Sequence, residues 1–297
     1  MGFILKRLSQ KNSWNKIFKQ RLTEPLHLNI IALFVLVFGS FRKKVAYDLV
    51  IRPQHAFGLL HAADQAKEKG FKTITVIEFG VANGAGLMNL IEIAKKVTKA
   101  TGIKVNIYGF DTGEGMPEPI DYRDHPEYYN SGDFPMNKAL LEEKIKDKAT
   151  IIYGPIKEKI SSFIASISEE APIGFVTIDV DYYSSTKDVL ELFKAKATYF
   201  LPLTYVYLDD IFMPHHNKKC GELLAVEELN NEQPLRQLSY HRFFENQRVF
   251  KNANWVKQLY YFHVLDHPYR SDLKRDRNAY VLDNPYLKFE GNKKQFD

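Results

Sequence analysis

The sequence predicts an α/β fold in which a mostly parallel sheet of seven strands is covered by helices on both faces. Patterns typical of strands alternate with patterns typical of helices between residues 45 and 265, and such alternation is characteristic of a parallel sheet. The early strands are nearly continuous apolar runs, as expected for strands buried on both faces. The chain has 297 residues, of which 45% are hydrophobic, so it can form a large core.

The elements can be assigned in order from their local patterns. The first helix, residues 45–69, has apolar residues at a spacing near 3.6 and stops at Gly70. Seven β-rich runs follow: 73–79, 104–111, 149–154, 173–180, 203–210, 236–244 and 256–265. Helical patterns lie between most of them: 85–100, 137–148, 155–169, 184–197 and 219–230. We expect one domain at residues 45–270, preceded by a helical arm at 1–44 and followed by a charged tail at 271–297.

The stretch "VIEFGVANGAG", residues 76–86, joins the first strand to a helix through a glycine-rich turn. A dinucleotide site has the order G-x-G-x-x-G and places the pyrophosphate at the helix N-terminus. Here Gly80, Gly84 and Gly86 follow an acid, Glu78, which would repel a pyrophosphate. The turn therefore suits a ligand with a cationic or hydrogen-bond-donating end, such as S-adenosylmethionine with its ammonium, sulfonium and ribose hydroxyls.

Ligands of such sheets bind outside the carboxyl ends of the strands, so the residues that end the strands are candidates for binding. The second strand ends in "GFDTGEGMP", and Asp111 is placed to accept hydrogen bonds from both ribose hydroxyls. Thr112 follows it, and Tyr153 ends the third strand. We predict that these three residues and the glycine turn form a cofactor site.

Three further acids, Asp179, Asp209 and Asp210, follow the fourth and fifth strands. One strand–helix–strand step separates the first from the other two, so all three should meet at adjacent strand tips. Carboxylates that share one site repel each other unless a cation lies between them, and an all-oxygen site favours Mg²⁺ or another hard divalent cation. Alternatively, the pair caps the next helix and Asp179 pairs with a local lysine. If the strand continues, Asp181 points to its other face, so we expect Asp181 to support the metal ligands or to cap the next helix.

Two loops near these strand ends contain further candidates. His215 and His216 follow the acid pair in "FMPHHNKKCGE". His215 is a candidate catalytic base or metal ligand, and a plain surface loop is the common alternative. The long segment 121–134, "DYRDHPEYYNSGDF", is a candidate lid over a substrate, with surface decoration as the alternative.

Four motifs in this order, each at a strand end, resemble the macrocin O-methyltransferase family: "VIEFGVANGAG", "YGFDTGEGMPEP", "DVDYYSSTKDVLELF" and "YLDDI". The resemblance covers residues 45–265. It implies the Rossmann-like fold of class I methyltransferases, S-adenosylmethionine as the methyl donor, and metal-dependent methylation of a sugar hydroxyl. A related arrangement of acids resembles catechol O-methyltransferase.

The resemblance also implies roles for the residues of the two predicted sites. The methionine end of the donor would be bordered by Glu78, Gly80 and Gly84. Its ribose would be bordered by Asp111. The metal would be held by three: Asp179, Asp209 and Asp210. Asp179 would also be a candidate base for the hydroxyl proton. The sequence departs from the family pattern at Thr112-Gly113 and at Ile211, near the cofactor and substrate pockets, and this leaves the acceptor open.

The N-terminal arm differs in charge from the rest of the chain. Residues 1–46 contain nine Lys or Arg and one acid, Glu24, which gives +8, whereas the whole chain carries +5. The apolar run 28–39 is too short to span a bilayer, which needs about 20 residues. The arm is therefore a solvated helical extension, a peripheral membrane contact, or a segment that packs on the body or on a second subunit.

The remaining composition limits the compartment and the partners. Cys220 is the only cysteine, so the chain has no disulfide framework, which fits a reducing, cytoplasmic compartment, with the inner face of the membrane as the peripheral option. The basic residues cluster in the arm and no aromatic-basic platform stands out, so we expect no nucleic acid partner. We expect a small-molecule or glycan hydroxyl as substrate and a homo-oligomer as the assembled form.

These observations favour an enzyme: a metal-dependent O-methyltransferase acting on a hydroxyl, most simply of a sugar or a natural-product glycoside. A related-fold hydroxylase is an alternative, but no ordered two-His-one-carboxylate pattern supports it. A non-catalytic cofactor-binding scaffold anchored by its basic arm is a second alternative. Acids at four strand ends argue against it, because a site that has lost its catalytic function has no physical need to keep carboxylates that repel each other.

Overall fold

The computed structural model describes residues 20–213 and 217–271, which form a seven-stranded sheet with helices on both faces. The strands are β1 (Thr73–Phe79), β2 (Lys104–Asp111), β3 (Thr150–Tyr153), β4 (Ile173–Ile178), β5 (Phe200–Leu208), β6 (Arg236–Tyr240) and β7 (Leu259–Val264). Their order across the sheet is β3-β2-β1-β4-β5-β7-β6. The first five are parallel, and β7 is antiparallel to both of its neighbours. The predicted α/β fold with a mostly parallel sheet is confirmed.

The helices follow the predicted alternation with the strands. They are α1 (Leu26–Phe38), α2 (Phe41–Ala46), α3 (Pro53–Glu68), α4 (Ala85–Thr101), α5 (Lys138–Ile145), α6 (Ile156–Ser166), α7 (Tyr183–Leu190), α8 (Gly221–Glu232) and α9 (Pro268–Ser271). Among the described residues, none of the helices combines the length and the apolar character needed to cross a membrane. Residues 1–19 of the predicted arm and 272–297 of the predicted tail lie outside the described residues.

The feature of this topology that creates a site is the reversal of strand order at β1. From this central strand, β2 and β3 extend to one side and β4 and β5 to the other. Phe79 pairs with Phe110 of β2 and with Ile178 of β4, so these three strands end at the same level. In open parallel sheets, ligands bind at the carboxyl ends of the strands where the order reverses. The residues that follow β1, β2 and β4 therefore share one crevice.

Alternate side chains of the sheet reach two separate cores. Val76 of β1 and Phe175 of β4 lie in the core that α3 and α4 cover. Their neighbours Ile77 and Val176 lie in the core that α6, α7 and α8 cover. All four side chains are fully buried. The continuous apolar runs of the central strands follow from this burial on both faces.

Several predicted elements are longer than the observed ones, and two of the differences have clear local reasons. The predicted helix 45–69 is split into α2 and α3, because Pro53 begins α3 and disfavours helical backbone at the residue before it. That residue, Arg52, has a left-handed φ of 50°. The predicted strand 256–265 is shortened to β7, because Asn254–Gln258 form a 3₁₀ turn.

A buried ion pair joins the segment before α3 to the late part of the domain. Arg248 donates to Asp48 at 2.7 Å, and their side chains are 4% and 8% exposed. The guanidinium also donates to the carbonyl oxygens of Val45 and Ala46 at 3.3 and 3.2 Å and lies 4.9 Å from the ring centre of Trp255. Arg21 and Trp255 also favour the ionised form of Asp48, but Arg248 forms the buried ion pair with it. Loss of Arg248 would therefore leave a buried carboxylate without its ion-pair partner.

We expect Arg248→Met to lower the free energy of unfolding by about 3–5 kcal/mol, because the buried carboxylate of Asp48 would lose its ion-pair partner. Urea denaturation of the full chain measures the loss. The double variant Arg248→Met, Asp48→Asn is the control, since it removes both charges and should recover a large part of the loss. An equal loss in the single and the double variant would contradict this role of the ion pair.

His61, on α3, makes the stability of the fold depend on pH. Burial lowers the pKa of His61 from its ordinary value of 6.5 to about 4, with Asp64 opposing the shift and Arg248 adding to it. Between these two pH values the unfolded chain binds a proton that the folded chain does not. The contribution of His61 to stability is therefore complete above pH 6.5 and is lost as the pH falls toward 4.

The variant His61→Phe should lose stability less steeply than the natural chain as the pH falls through this window. The difference in slope should reach up to about 1.4 kcal/mol per pH unit, the linkage value for one proton. Phe suits the position, because the His61 ring already lies 4.1 Å from the ring centre of Phe57. Urea denaturation at several pH values measures the two slopes, and parallel curves would contradict the assignment.

Candidate active site

The site lies where β1, β2, β4 and β5 end, and Glu78 of β1 is a deeply enclosed acid within it. Its side chain is 3% exposed, and its Oε2 atom is buried without a hydrogen-bond partner among the residues described. Burial raises the pKa of Glu78 well above its ordinary value, while Arg52 opposes the shift and Asp179 adds to it. A buried acceptor of this kind is stabilised by a donor or a cation placed beside it.

The glycine turn packs directly against these acids. A Cβ atom at Gly86 would lie 1.7 Å from Oε1 of Glu78, and one at Gly80 would lie 1.7 Å from the carbonyl oxygen of Asp179. Gly80 also has a φ of +83°, in the left-handed region. Gly84 is the N-cap residue of α4 and brings no side chain to cap it. The N–H of Ala85 donates to Oδ1 of Asn83 at 3.2 Å, whereas the next N–H groups of the first turn have no acceptor within the helix. The predicted cofactor residues of β1 and its turn thus lie together.

Asp111, at the end of β2, holds this turn in place. Its Oδ2 atom accepts hydrogen bonds from the backbone N–H groups of Val81 and Ala82 at 2.9 and 2.8 Å. Its Oδ1 atom accepts from the N–H of Gly113 at 2.6 Å. A carboxylate has about four lone-pair sites, so these bonds leave acceptor capacity for ribose hydroxyls. The ribose role of Asp111 stays a prediction.

The other two predicted cofactor residues lie at the same edge with different surroundings. Thr112 builds the turn after β2: its hydroxyl donates to the carbonyl oxygen of Gly115 at 3.0 Å and accepts from the N–H of Glu114 at 3.1 Å. Tyr153 ends β3, and burial raises the pKa of its hydroxyl to about 12. The ammonium of Lys138 lies 5.2 Å from its ring centre. Thr112 therefore stabilises the turn after β2, and Tyr153 lines the same edge of the sheet at the end of β3.

Three carboxylates converge beside the turn. Oxygen atoms of Asp179, Asp181 and Asp210 all lie within 4.8 Å of one another, a spacing that a metal ion could bridge. Asp210 also accepts a hydrogen bond from the backbone N–H of Asp181 at 3.0 Å. Asp181 joins the group because β4 stops at Ile178 and the residue has a left-handed φ of 57°. The predicted supporting role of Asp181 assumed that the strand continues to this residue, so that neighbouring side chains point to opposite faces. The strand ends before it.

Asp209 lies next to the group but is turned toward different partners. Its Oδ1 atom accepts a hydrogen bond from the hydroxyl of Tyr207 at 2.8 Å, and its carbonyl oxygen accepts from the side-chain amide of Gln258. It is still close enough to matter electrostatically. Burial raises the pKa of Asp179 well above its ordinary value, and the charges of Asp209 and Asp181 add to the shift. The structure thus brings together two of the three predicted ligands and adds Asp181.

A further acid, Glu222, was not predicted from the sequence. It lies in the first turn of α8, its side chain is fully buried, and neither carboxylate oxygen has a hydrogen-bond partner at normal geometry within the described ranges. Burial raises its pKa well above the ordinary value, and Asp179 and Asp209 add to this. The available signal was an acid in the otherwise apolar start of "GELLAVEEL".

The donor set fits a hard divalent cation. Its close members are all carboxylates, of which Asp181 and Asp210 are buried and Asp179 is half-buried. Mg²⁺ and Ca²⁺ prefer oxygen ligands, and a cation is the simplest way to keep several carboxylates ionised in one crevice. A soft metal would require sulfur or imidazole ligands. His215, the other predicted catalytic residue, lies outside the described residues.

The segment 121–134 covers this crevice. Its buried Asp124 accepts hydrogen bonds from the backbone N–H and the hydroxyl of Ser184, both at 2.8 Å, which fixes the segment to the start of α7. Tyr129 lies further along, with its ring centre 5.9 Å from that of Tyr182. Burial raises the pKa of Tyr129, and the nearby Asp181 adds to the shift. The segment therefore lies against the carboxylate cluster, and its role as a lid stays a prediction.

Comparison with solved structures identifies the fold. The crystal structure of CalS11, described as a calicheamicin methyltransferase, matches 80% of this chain and 91% of its own, with 17% identity and a TM-score of 0.50. An apo structure of CalS11, described as a TDP-rhamnose 3'-O-methyltransferase, matches 80% and 93% with 16% identity and a TM-score of 0.44. A structure described as CmcI with Mg and SAM matches 68% and 69% with 16% identity and a TM-score of 0.38.

The first of these similarities shows that the chain has the Rossmann-like fold of class I methyltransferases, which confirms the predicted fold class. The other two are too distant to support more. No protein-family model matches the sequence, and a search of curated proteins found no match. The resemblance to the macrocin O-methyltransferase family therefore rests on the four strand-end motifs.

The close contact at Gly80 can be tested by substitution. We expect Gly80→Ala to cost roughly 2 kcal/mol or more of unfolding free energy beyond the cost of Gly70→Ala, because its Cβ would overlap the backbone of Asp179. Gly70 is the matched control: its φ is also +83°, but a Cβ there meets nothing within 4 Å. Urea denaturation measures both variants. Equal losses would show that the turn does not press against the end of β4.

Proposed function

We propose that the protein is a metal-dependent O-methyltransferase that moves a methyl group from S-adenosylmethionine to a hydroxyl group. One observation carries the proposal. At the reversal point of a class I methyltransferase fold, the carboxylates of Asp179, Asp181 and Asp210 converge within 4.8 Å. Beside the glycine turn, Glu78 presents a buried oxygen that has no hydrogen-bond partner in the part of the chain that the structure describes. Two sites, one for the donor and one for a cation, would then adjoin each other.

The donor site uses the end of β1, the glycine turn and the end of β2. Glu78 would accept a hydrogen bond from the donor's ammonium group, which offsets the cost of its buried charge. The N–H groups at the start of α4 would bind the methionine carboxylate, since a helix N-terminus favours an anion. Asp111 would accept from the ribose hydroxyls with its remaining lone pairs.

The cation site uses the ends of β4 and β5. Asp179, Asp181 and Asp210 would be the direct ligands, with Asp209 and Glu222 supplying negative charge around them. A bound divalent cation supplies the charge that stabilises a hydroxyl oxygen as it loses its proton. The protein's own part is to hold these carboxylates at one point and, through the lid segment, to exclude water from them.

The transfer itself is a single displacement. The hydroxyl oxygen forms a bond to the methyl carbon while the carbon–sulfur bond breaks, and its electron pair stays on sulfur as S-adenosylhomocysteine leaves. The hydroxyl proton passes to a carboxylate at the end of β4, for which Asp179 is the proposed base. The sequence resemblance supports a sugar or a natural-product glycoside as the acceptor. Exposed aromatic side chains on the lid, Tyr122, Tyr128 and Phe134, offer surfaces for such a ring.

The cofactor and metal roles can be separated by one set of measurements. Isothermal titration with S-adenosylhomocysteine should show binding to the natural chain, and transfer of a labelled methyl group to a panel of hydroxylated sugars should require Mg²⁺. We expect Asp210→Asn to lower that activity by roughly 100-fold, because it removes a metal ligand, while S-adenosylhomocysteine still binds. Glu143→Gln, an exposed acid on α5, is the control and should change neither.

Two results would defeat the proposal in different ways. Absence of binding heat and of any thermal shift with S-adenosylhomocysteine would remove the donor. Full methyl transfer in the presence of EDTA would remove the metal and leave a metal-independent methyltransferase.

A further inference from the structure

Helix α1 exposes a broad apolar face, interrupted at its N-terminal end by His27. Seven of its thirteen side chains are large, apolar and between 42% and 75% exposed: Leu26, Ile30, Ile31, Leu33, Phe34, Val37 and Phe38. Phe34 and Phe38 contact each other, with ring centres 4.8 Å apart. Scattered apolar side chains are normal on a protein surface, whereas a contiguous set of this kind marks an interaction site.

The face has a defined shape. Ala32 and Val35 are buried on the opposite side of the helix, so α1 packs on the domain with one edge only. At about 100° per residue, the seven exposed side chains cover an arc of about 160°, and thirteen residues extend about 20 Å. A helix of this length is too short to cross a bilayer, which needs about 30 Å, but long enough to lie in its surface.

The charges around the face decide between the candidate partners. Residues 1–46 carry nine basic residues and one acid, and α2, which follows α1 after a short turn, begins with the basic run Arg42, Lys43 and Lys44. Lys43 is exposed, whereas Arg42 is exposed but already paired with Asp64. A second copy of the chain seated on α1 would bring one such basic segment against another, which is unfavourable. An anionic surface would be attracted instead.

We propose that α1 docks the protein on an anionic lipid bilayer, with the apolar face inserted at the level of the headgroups and the flanking basic residues on the phosphates. Helix α1 itself contains no Lys or Arg, so the basic contribution would come from Lys43 and Lys44 of α2 and from the basic residues that precede α1 in the chain. An apolar helix face with basic residues beside it favours binding in the plane of a membrane. The inference does not depend on the methyltransferase proposal, because docking needs neither the donor nor the cation.

The test is flotation of the full chain with vesicles of phosphatidylcholine containing about 30% phosphatidylglycerol, at low salt. The variant Ile30→Ser, Phe34→Ser, Val37→Ser should bind these vesicles at least tenfold more weakly than the natural chain. The matched control, Leu235→Ser with Phe243→Ser, removes exposed apolar side chains away from α1 and should bind normally. All substituted side chains are exposed, so thermal unfolding should be unchanged and will show that both variants fold.

Charge should contribute as well. Binding should fall at least tenfold when the vesicles contain phosphatidylcholine alone. It should fall equally when the salt is raised to about 1 M, because the Debye length is then only about 3 Å and the attraction between charges is screened. Equal flotation of the natural chain and the α1 variant would overturn the proposal, as would no flotation at all. In the second case, sedimentation velocity tests the other occupant: a dimer that the α1 variant abolishes would assign the face to a second copy of the chain.

Discussion

The constraint on which the site depends is the burial of several carboxylates within a few ångströms of one another. Asp179, Asp181 and Asp210 converge within 4.8 Å, and Glu222 is fully buried beside them. In a medium of low polarity, like charges at this distance cannot all stay ionised without a compensating cation. The fold brings these groups together through backbone geometry, since they follow adjacent strands. Repulsion among these carboxylates therefore destabilises the folded chain, and a bound cation would offset that destabilisation.

The donor side of the crevice is coupled to the same strand ends. Gly80 passes so close to Asp179 that no side chain fits between them, and Asp111 anchors the turn through the N–H groups of Val81 and Ala82. A shift at the end of β4 would therefore move the turn of β1, and with it the region proposed for the donor. The spatial relation between the glycine turn and the carboxylate cluster is thus fixed by contacts at the sheet edge.

The sequence predicts much of this arrangement and misses parts that depend on tertiary detail. The strand-end acids could be found, because alternation of strands and helices fixes which edge they share. Asp181 could not be placed, since its position depends on β4 stopping at Ile178 and on a left-handed backbone. Glu222 could not be recognised, because only the packing of α8 shows that its carboxylate is buried against the strand ends. The domain boundaries and the homo-oligomer remain predictions.

The central claim is that the carboxylates at the ends of β4 and β5 hold one divalent cation. Titration of the full chain with Mn²⁺, followed by electron paramagnetic resonance of the free ion, tests it most directly. The account predicts one bound ion per chain, with competition by Mg²⁺ and a large loss of affinity in Asp179→Asn. Unchanged binding in that variant, or no binding by the natural chain at about 1 mM Mn²⁺, in the range of weak protein sites for such ions, would contradict it.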